Sequence, residues 1–274
     1  MAYAATRKTS MGGLTLQKRR LGKSCIEVST IGLGTVKFGR NQNVKYPYPF
    51  SLPSDYEIEN LLDYAKALGI NLLDTAPAYG TSEERLGKLL HGKRQEWIIS
   101  TKVGEAFFEG KSYFDFSANT IRESIERSLL HLKTDYIDIA LVHSNGDDQR
   151  IIEEEHIFSL LAALKKEGKI RAYGMSTKTV AGGLLAVDMA DVVMVAYNPS
   201  YTEEREVINY AYQHQKGIFI KKAFASGHLP WQSSDPIAES IRFILQEPGI
   251  SSVIVGTLNP SHLQHNVKCV DNLV

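Results

Sequence analysis

The stretch Asn71-Leu72-Leu73-Asp74-Thr75-Ala76-Pro77-Ala78-Tyr79-Gly80 joins an apolar run to two titratable side chains. The run from Ile70 to Leu73 is short and, apart from Asn71, aliphatic, as expected of a strand that is buried on both faces. Asp74 follows this run directly, and Tyr79 comes five residues later. Titratable groups at the end of a buried strand are candidates for a functional site if other segments bring partners to the same place.

Two later segments have the same construction. Lys102 follows one buried apolar run, and His143 follows another, from Tyr136 to Val142. In a closed barrel of parallel strands, the C-terminal strand ends meet at one face, and active sites are built there. We therefore expect the side chains of Asp74, Tyr79, Lys102 and His143 to form one site.

The rest of the chain supports such a barrel. From Thr30 onward, short apolar runs alternate with amphipathic stretches, a pattern typical of βα units around a parallel sheet. The predicted strands are Thr30–Thr35, Ile70–Asp74, Trp97–Lys102, Ile137–His143, Ala172–Ser176, Val192–Tyr197, Ile218–Lys221 and Ser252–Gly256. Eight such units predict an α/β fold, namely a single (β/α)8 TIM barrel.

Composition narrows the function classes. The 274 residues suit one domain of this type, and 31 basic residues against 31 acidic ones provide no global field for nucleic acid or an anionic membrane. No run approaches the ~18 apolar residues of a membrane span. Two cysteines, Cys25 and Cys269, are too few for a disulfide framework and indicate a reducing, cytoplasmic location. Residues 1–17 are expected to be a flexible extension, and residues 18–274 the barrel.

As a set, Asp74, Tyr79, Lys102 and His143 resemble the catalytic tetrad of the aldo-keto reductase superfamily. Further segments are similar to the family along almost the whole chain: its opening β-hairpin (Lys18–Ser24), first barrel strand (Thr30–Thr35), second helix (Ser82–Gly87), last strand (Ile254–Thr257) and the helix that holds the adenosine half of the cofactor (Leu263–Asn266).

The resemblance implies reduction of a small carbonyl compound, an aldehyde, a ketone or a sugar, to an alcohol. The nicotinamide supplies hydride and the protein must supply the proton. Tyr79 would be the donor, with the Lys102 ammonium lowering the phenol pKa and Asp74 serving as the counter-ion of Lys102. His143 would donate to the carbonyl oxygen and stabilise its developing charge.

The cofactor is expected to lie extended across the barrel mouth, since no G-x-G-x-x-G follows a first strand. The resemblance places Ser176 and Asn198 near the nicotinamide carboxamide and Asn266 near the adenine. Thr177 follows Ser176 where the family usually has asparagine, and Met194 replaces a common glutamine.

Two further departures affect the choice of dinucleotide. Lys221 sits near the position of the tyrosine that stacks on the nicotinamide, and His262 replaces the arginine that many relatives use for the 2′-phosphate. Histidine lacks the fixed charge and forked geometry of arginine. Lys221 or Lys222 could contact the pyrophosphate or the 2′-phosphate instead. NADP(H) is the expected cofactor, with NAD(H) as the alternative.

Other interpretations remain open at this stage. The same tetrad serves a sugar or alcohol dehydrogenase, and the fold also hosts cofactor-binding regulatory proteins such as the potassium-channel β subunits. Schiff-base chemistry at Lys102, as in barrel aldolases, is a rival use of the lysine. The remaining histidines lack metal-ligand spacing, so no metal is expected. Substrate choice and oligomeric state are not predicted.

One loop is a candidate wall of the substrate pocket. Asn41 to Pro53 follows the first strand and carries Tyr46, Tyr48 and Phe50 between prolines. Pockets for small molecules are mostly apolar and aromatic. A surface loop whose rings pack only locally is the alternative.

Overall fold

The computed structural model describes residues 16–228 and 233–271. Its strands are β1 (Lys18–Arg20), β2 (Glu27–Ser29), β3 (Ile31–Gly34), β4 (Leu72–Asp74), β5 (Ile98–Val103), β6 (Glu105–Phe108), β7 (Lys111–Phe114), β8 (Ile137–His143), β9 (Ile170–Ser176), β10 (Val192–Ala196), β11 (Gly217–Lys221) and β12 (Ile250–Val255). Eight of them close into a parallel barrel in the order β3-β4-β5-β8-β9-β10-β11-β12. Each overlaps one predicted segment, so the predicted TIM barrel is confirmed.

Helices surround the barrel and follow its strands in the chain. They are α1 (Val36–Gly39), α2 (Asp55–Ala67), α3 (Ser82–Leu89), α4 (Ala118–Leu132), α5 (Asp148–Glu153), α6 (Ile157–Lys166), α7 (Val180–Met189), α8 (Arg205–Gln213), α9 (Pro236–Leu245) and α10 (Pro260–Asp271). Local chemistry sets their starts. At α2, the Ser54 hydroxyl accepts from the Glu57 amide while the Glu57 carboxylate accepts from Ser54, a reciprocal cap.

The main core lies between the strands and the helices. Buried aliphatic side chains at helical spacing, such as Ile58, Leu61 and Leu62 of α2, face the outer surface of the barrel. Burial of each such side chain contributes roughly 1.5–3 kcal/mol. Gly87 lets α3 approach α4, since a side-chain carbon there would lie 2.0 Å from the His131 carbonyl oxygen.

A two-stranded antiparallel hairpin, β1–β2, covers one end of the barrel, as the resemblance implied. Its apolar residues Leu21, Ile26 and Val28 pack in one cluster with the barrel side chains Leu72 and Phe219. The Arg19 guanidinium donates to the Ile250 carbonyl at the beginning of β12, 2.7 Å away. The hairpin therefore closes the N-terminal end of the strands and leaves their C-terminal ends for function.

Most of the predicted flexible extension, residues 1–17, lies outside the described residues, which begin at residue 16. Leu16, the first described residue, is buried in the core. The short hairpin β6–β7 was not predicted from the sequence. It follows β5 at the C-terminal face, and Glu105, its first residue, turns out to contact the site.

Candidate active site

The Asp74 carboxylate and the Lys102 ammonium form a buried pair at the ends of β4 and β5. Nζ of Lys102 donates to both carboxylate oxygens, at 2.9 and 2.8 Å, and to the Thr75 carbonyl at 2.8 Å. The Ser100 hydroxyl donates to Oδ1 of Asp74 at 3.1 Å. Both side chains are almost fully buried. A desolvated cation and anion are tolerable here because each is hydrogen-bonded to the other.

Tyr79 is held over this pair by a tight turn. Residues Pro77–Tyr79 form one 3₁₀ turn after β4, and Gly80 continues it with a φ of 62°, in the region that favours glycine. A side-chain carbon at Gly80 would lie 2.2 Å from the Gly39 carbonyl oxygen. The close contact of the two glycine segments fixes the backbone of this turn. The centre of the Tyr79 ring lies 4.9 Å from Nζ of Lys102.

The environment of Tyr79 corrects one prediction. Burial raises the pKa of the phenol, the Lys102 ammonium opposes this, and the Asp74 carboxylate adds to the increase, so the pKa lies above its ordinary value. Lys102 acts in the predicted direction, but desolvation is the larger effect and the Asp74 carboxylate adds to it. Tyr79 is therefore a protonated phenol at neutral pH, which is the state a proton donor needs.

His143, the last residue of β8, lies on the other side of Tyr79. The two rings meet edge to face with centroids 6.3 Å apart. Nδ1 of His143 is 2.6 Å from Oε2 of Glu105, although that oxygen lies out of line with the ring N–H. Burial lowers the pKa of His143, with Glu105 opposing and the ammonium groups of Lys102 and Lys221 reinforcing the decrease.

Glu105 is the site residue that the sequence reasoning missed. Burial alone would raise its pKa, but His143, the Ser112 hydroxyl and the Arg40 guanidinium outweigh this and lower it to about 2. The available signal was its place three residues after Lys102, just beyond the end of the strand. A lone glutamate in a loop region is ordinarily solvated, so that signal is weak.

A cavity of about 690 Å³ opens above these residues at the C-terminal face. Its lining includes Asp74, Tyr79 and His143, and also the loop from Asn43 to Phe50. The Tyr46 and Phe50 rings pack edge to face, 5.7 Å apart, with Nζ of Lys37 4.1 Å from the centre of the Tyr46 ring. The loop therefore stands beside the tetrad, where a pocket wall would be.

Ser176 and Lys221 meet at the far side of this cavity. Nζ of Lys221 donates to Oγ of Ser176 at 2.9 Å and to the Thr177 carbonyl at 2.6 Å. Burial lowers the pKa of Lys221 to about 8, with Glu204 opposing and Lys222 reinforcing the decrease. Thr177 is fully buried, and its hydroxyl has no hydrogen-bond partner among the described residues.

A second cavity, of about 400 Å³, adjoins the first and shares Lys45, Lys222 and Ser226 with it. Asn198 lines it, and Nδ2 of Asn198 donates to the Lys222 carbonyl at 2.9 Å. Lys222 itself is exposed, with its backbone in the left-handed region (φ 55°). The two cavities together form an elongated groove across the barrel mouth.

The residues expected near the adenosine lie apart from this groove. Asn266 is buried and His262 is exposed one turn earlier on α10, and neither lines the two cavities. On the same helix, His265 contacts Asp235 at 3.0 Å and Cys269 at 3.6 Å. Asp235 also caps α9 by accepting from the Ala238 amide. The ligand atoms of Asp235, His265 and Cys269 lie within 4.8 Å of one another, so these side chains have a metal-ligand arrangement that the sequence reasoning did not predict.

The groove fits a nicotinamide dinucleotide at its polar donors. Ser176 and Lys221 present buried donors beside the tetrad, and Lys45 and Lys222 supply positive charge where the two cavities join. The position of the family's tyrosine that stacks on the nicotinamide is occupied differently here, because Lys221 at the end of β11 offers no aromatic face. Phe224 lines the cavity three residues further along.

Comparisons with known proteins agree with this geometry. The model of the aldo/keto reductase family matches residues 30–240. A solved Pseudomonas aeruginosa structure assigned to the aldo-keto reductases is 50% identical, with a TM-score of 0.87, over 94% of this chain and 96% of its own. The holo form of a Bacillus halodurans aldo-keto reductase is 26% identical, with a TM-score of 0.79, over 93% and 91% of the two chains.

Curated relatives cover nearly the full length as well. The uncharacterized oxidoreductase YqkF of Bacillus subtilis is 27% identical over 93% of this chain and 92% of its own. L-galactose dehydrogenase of Arabidopsis thaliana is 28% identical over 94% and 89%. No helix in the described ranges is both long and apolar enough to cross a bilayer. The chain belongs to the aldo/keto reductase family of oxidoreductases.

Proposed function

We propose that this protein reduces an aldehyde or ketone, with sugars among the candidates, to an alcohol by using NADP(H). The observation that carries the proposal is the contiguous set Asp74–Lys102–Tyr79–His143, of which Asp74, Tyr79 and His143 line the cavity and Lys102 lies buried behind them. Its phenol is protonated, its ammonium is charge-compensated, and its imidazole faces the same space. A carbonyl oxygen placed between Tyr79 and His143 would meet a proton donor and a polar ring together.

Each side chain then has a separate role. Lys102 stabilises the tyrosinate that forms as the proton leaves, and Asp74 keeps the Lys102 ammonium charged in a buried place. His143 orients the substrate oxygen. A bound dinucleotide supplies the hydride that the protein cannot. Ser176 and Lys221 would hold its nicotinamide end, and Lys45 and Lys222 its phosphates.

The test is carbonyl-dependent oxidation of NADPH and NADH, measured with a panel of aldehydes, ketones and sugars. Tyr79→Phe removes only the transferable proton and should lower kcat by about 10² or more, with the Kd of the dinucleotide nearly unchanged. Tyr173→Phe, which removes a phenol from β9 outside the cavity, should retain wild-type turnover. Comparable turnover in Tyr79→Phe would remove Tyr79 from the mechanism.

The same assay tests which dinucleotide the protein uses and whether it favours reduction or oxidation. The ratio of kcat/KM for NADPH and NADH tests the choice of NADP(H), for which family membership is the main support. The similarity to L-galactose dehydrogenase favours a second candidate, the oxidation of a sugar or alcohol with NAD(P)⁺. Dinucleotide binding without turnover in either direction would favour a regulatory protein. A cytoplasmic location remains a prediction from the two unpaired cysteines.

A further inference from the structure

Asp235, His265 and Cys269 form a compact cluster where two helices meet, and none of the three lines the cavities at the barrel mouth. Asp235 immediately precedes α9, and His265 and Cys269 lie four positions apart on α10, where side chains share one face of a helix. Nε2 of His265 lies 3.1 Å from Oδ1 and 3.0 Å from Oδ2 of Asp235, and 3.6 Å from Sγ of Cys269. Two helices therefore direct a carboxylate, an imidazole and a thiol at one point.

A single hydrogen bond does not account for this arrangement. A ring nitrogen of histidine offers either one proton or one lone pair, so Nε2 of His265 can form one good hydrogen bond. Two carboxylate oxygens of Asp235 and the sulfur of Cys269 lie around that nitrogen together. A metal ion in the place of the proton would bind the nitrogen, an oxygen and the sulfur at the same time.

The distances between the three ligand atoms fit a tetrahedral zinc ion. Zn–N and Zn–S bonds are roughly 2.0–2.1 Å and 2.3 Å long, so tetrahedral angles place nitrogen about 3.6 Å from sulfur and about 3.3 Å from a ligand oxygen. From Nε2 of His265, the Cys269 sulfur lies at 3.6 Å and the nearer Asp235 oxygen at 3.0 Å. All the ligand atoms lie within 4.8 Å of one another. Small side-chain adjustments would bring all three to one ion.

The types of ligand favour zinc over harder cations. Thiolate and imidazole are typical zinc ligands, whereas Ca²⁺ and Mg²⁺ take oxygen ligands. The Asp235 carboxylate and a Cys269 thiolate together balance the charge of one divalent ion, with His265 neutral. Burial and the Asp235 carboxylate raise the pKa of the Cys269 thiol, and the Arg242 guanidinium opposes them. Zinc ligation would replace the thiol proton and release it to solvent.

The two helices hold the ligands in position without an ion. The Ala238 amide donates to Oδ1 of Asp235 at 3.0 Å and orients the carboxylate. Ile241 of α9 and Val267 of α10 are both buried in the main core, so neither helix is free to move away. A preorganised set of ligands loses less conformational freedom when an ion binds.

An ion can reach the cluster from solvent. Cys269 is only 7% exposed and lies deepest, whereas the side chains of His265 and Asp235 are 45% and 41% exposed. Three protein ligands leave one of the four tetrahedral positions for a water molecule. The exposed side of the cluster provides room for that water.

We propose that Asp235, His265 and Cys269 bind one Zn²⁺ ion, with water as the fourth ligand, and that this ion fastens the start of α9 to α10. The segment between β11 and α9 lines the barrel mouth with Phe224 and Ser226, and Asp235 lies at its end. The ion therefore anchors one end of that segment to the last helix. This inference goes beyond the proposed function and is independent of it, because zinc binding and unfolding are measured without substrate or dinucleotide.

The first experiment measures metal binding to the full chain without an affinity tag, after treatment with EDTA. Zn²⁺ alone is titrated by calorimetry, and Co²⁺ replaces it for spectroscopy. We expect one ion per chain, the visible bands of tetrahedral Co²⁺ and a thiolate-to-cobalt charge-transfer band. Cys269→Ser should abolish the charge-transfer band. His265→Gln, and Asp235→Asn, which keeps a helix-capping side chain, should each weaken zinc binding by about 10²-fold or more, because each removes a direct ligand.

Cys25→Ser and His91→Gln are the matched controls, because each removes an exposed side chain of the same type as one of the ligands. Both should bind zinc with the Kd of the wild type. A wild type that shows no charge-transfer band with Co²⁺ would overturn the proposal. So would a wild-type zinc Kd in Cys269→Ser and His265→Gln, because the ion would then bind elsewhere.

The second experiment tests whether the ion joins the two helices. At a free Zn²⁺ concentration of about 100 times its Kd, the Tm of the wild type should rise by about 5 °C or more, because the ion binds the folded protein. Mg²⁺ at the same concentration should not raise it. Cys269→Ser should unfold at one temperature with and without Zn²⁺, and Cys25→Ser should keep the increase. A wild-type Tm that zinc leaves unchanged would overturn the proposed link between α9 and α10.

Discussion

At the scale of single residues, the buried pair of Asp74 and Lys102 decides the chemistry of Tyr79. The two charges are 28 positions apart in the sequence and meet because β4 and β5 are neighbours in the barrel. Desolvation keeps the phenol protonated, and the ammonium is placed to stabilise the phenolate as it forms. A solvent-exposed lysine would stabilise the phenolate less effectively, because water would screen its charge.

Lys102→Met should therefore damage both activity and stability. Turnover should fall by about 10² or more, because the tyrosinate loses its cation. The free energy of unfolding should fall by about 3–5 kcal/mol, because Asp74 is left buried and unpaired. Urea unfolding and steady-state kinetics measure the two effects. Asp74→Asn combined with Lys102→Met should recover stability but not turnover. Lys166→Met, at an exposed position of α6, is the control. A Lys102→Met variant as stable as the wild type would contradict the buried-pair interpretation.

At the scale of elements, the segments that follow barrel strands at the C-terminal face build the cavity. The loop after β3 brings Tyr46, Tyr48 and Phe50 to its wall, and the hairpin after β5 brings Glu105 to its floor. Tyr46 lies close to the residue that follows the last strand, since a side-chain carbon at Gly256 would lie 3.0 Å from its hydroxyl oxygen. Burial raises the pKa of Tyr46 to about 12, with Tyr79 adding to the increase, so its hydroxyl stays neutral.

Replacing Tyr46, Tyr48 and Phe50 together by alanine should change substrate selectivity. We expect kcat/KM for bulky carbonyl compounds to change by about tenfold more than for small ones, since only the former reach the removed rings. The Kd of the dinucleotide should be preserved. Tyr56→Ala, an exposed ring on α2 outside the cavity, is the control. Equal effects on small and bulky substrates would indicate a loop that only supports the fold.

At the scale of the whole molecule, function and stability occupy different layers. The tetrad lies at the C-terminal strand ends, whereas Glu83 is buried between β5, α3 and α4. Its carboxylate accepts from the Thr101 hydroxyl at 2.5 Å and from the Ser128 hydroxyl at 3.2 Å. Burial raises its pKa, and the two hydroxyl groups oppose this only in part. Ionising Glu83 therefore costs more free energy in the folded protein than in the unfolded chain.

The direction of this pKa shift predicts how stability changes with pH. Because the folded pKa of Glu83 lies above the unfolded value, its favourable contribution is present at low pH and is lost as pH rises through the folded pKa. Glu83→Gln is neutral at every pH, so its stability relative to the wild type should grow from pH 4.5 to 7.5. At pH 7.5 we expect Glu83→Gln to raise Tm by about 2–4 °C, which corresponds to about 1 kcal/mol in the free energy of unfolding. Glu84→Gln, at the exposed neighbour, should show no such trend, and a gain equal at both pH values would contradict the prediction.

The sequence by itself determined the barrel and the chemistry-bearing strand ends. Alternating apolar and amphipathic runs report burial on each element, and burial is a local property of the pattern. For the same reason Asp74, Lys102 and His143 could be assigned to one face before any contact was known. The motifs around them were distinctive enough to indicate the family.

Only the tertiary structure decided what those residues experience. The pKa of Tyr79 depends on desolvation by segments far away in the chain. Glu105 reaches His143 through a hairpin whose residues have no strong local pattern. Lys221 bonds to Ser176 across 45 positions of sequence. Hydrogen bonds and desolvation act between atoms a few ångströms apart, and residue order does not specify those distances until the barrel has closed.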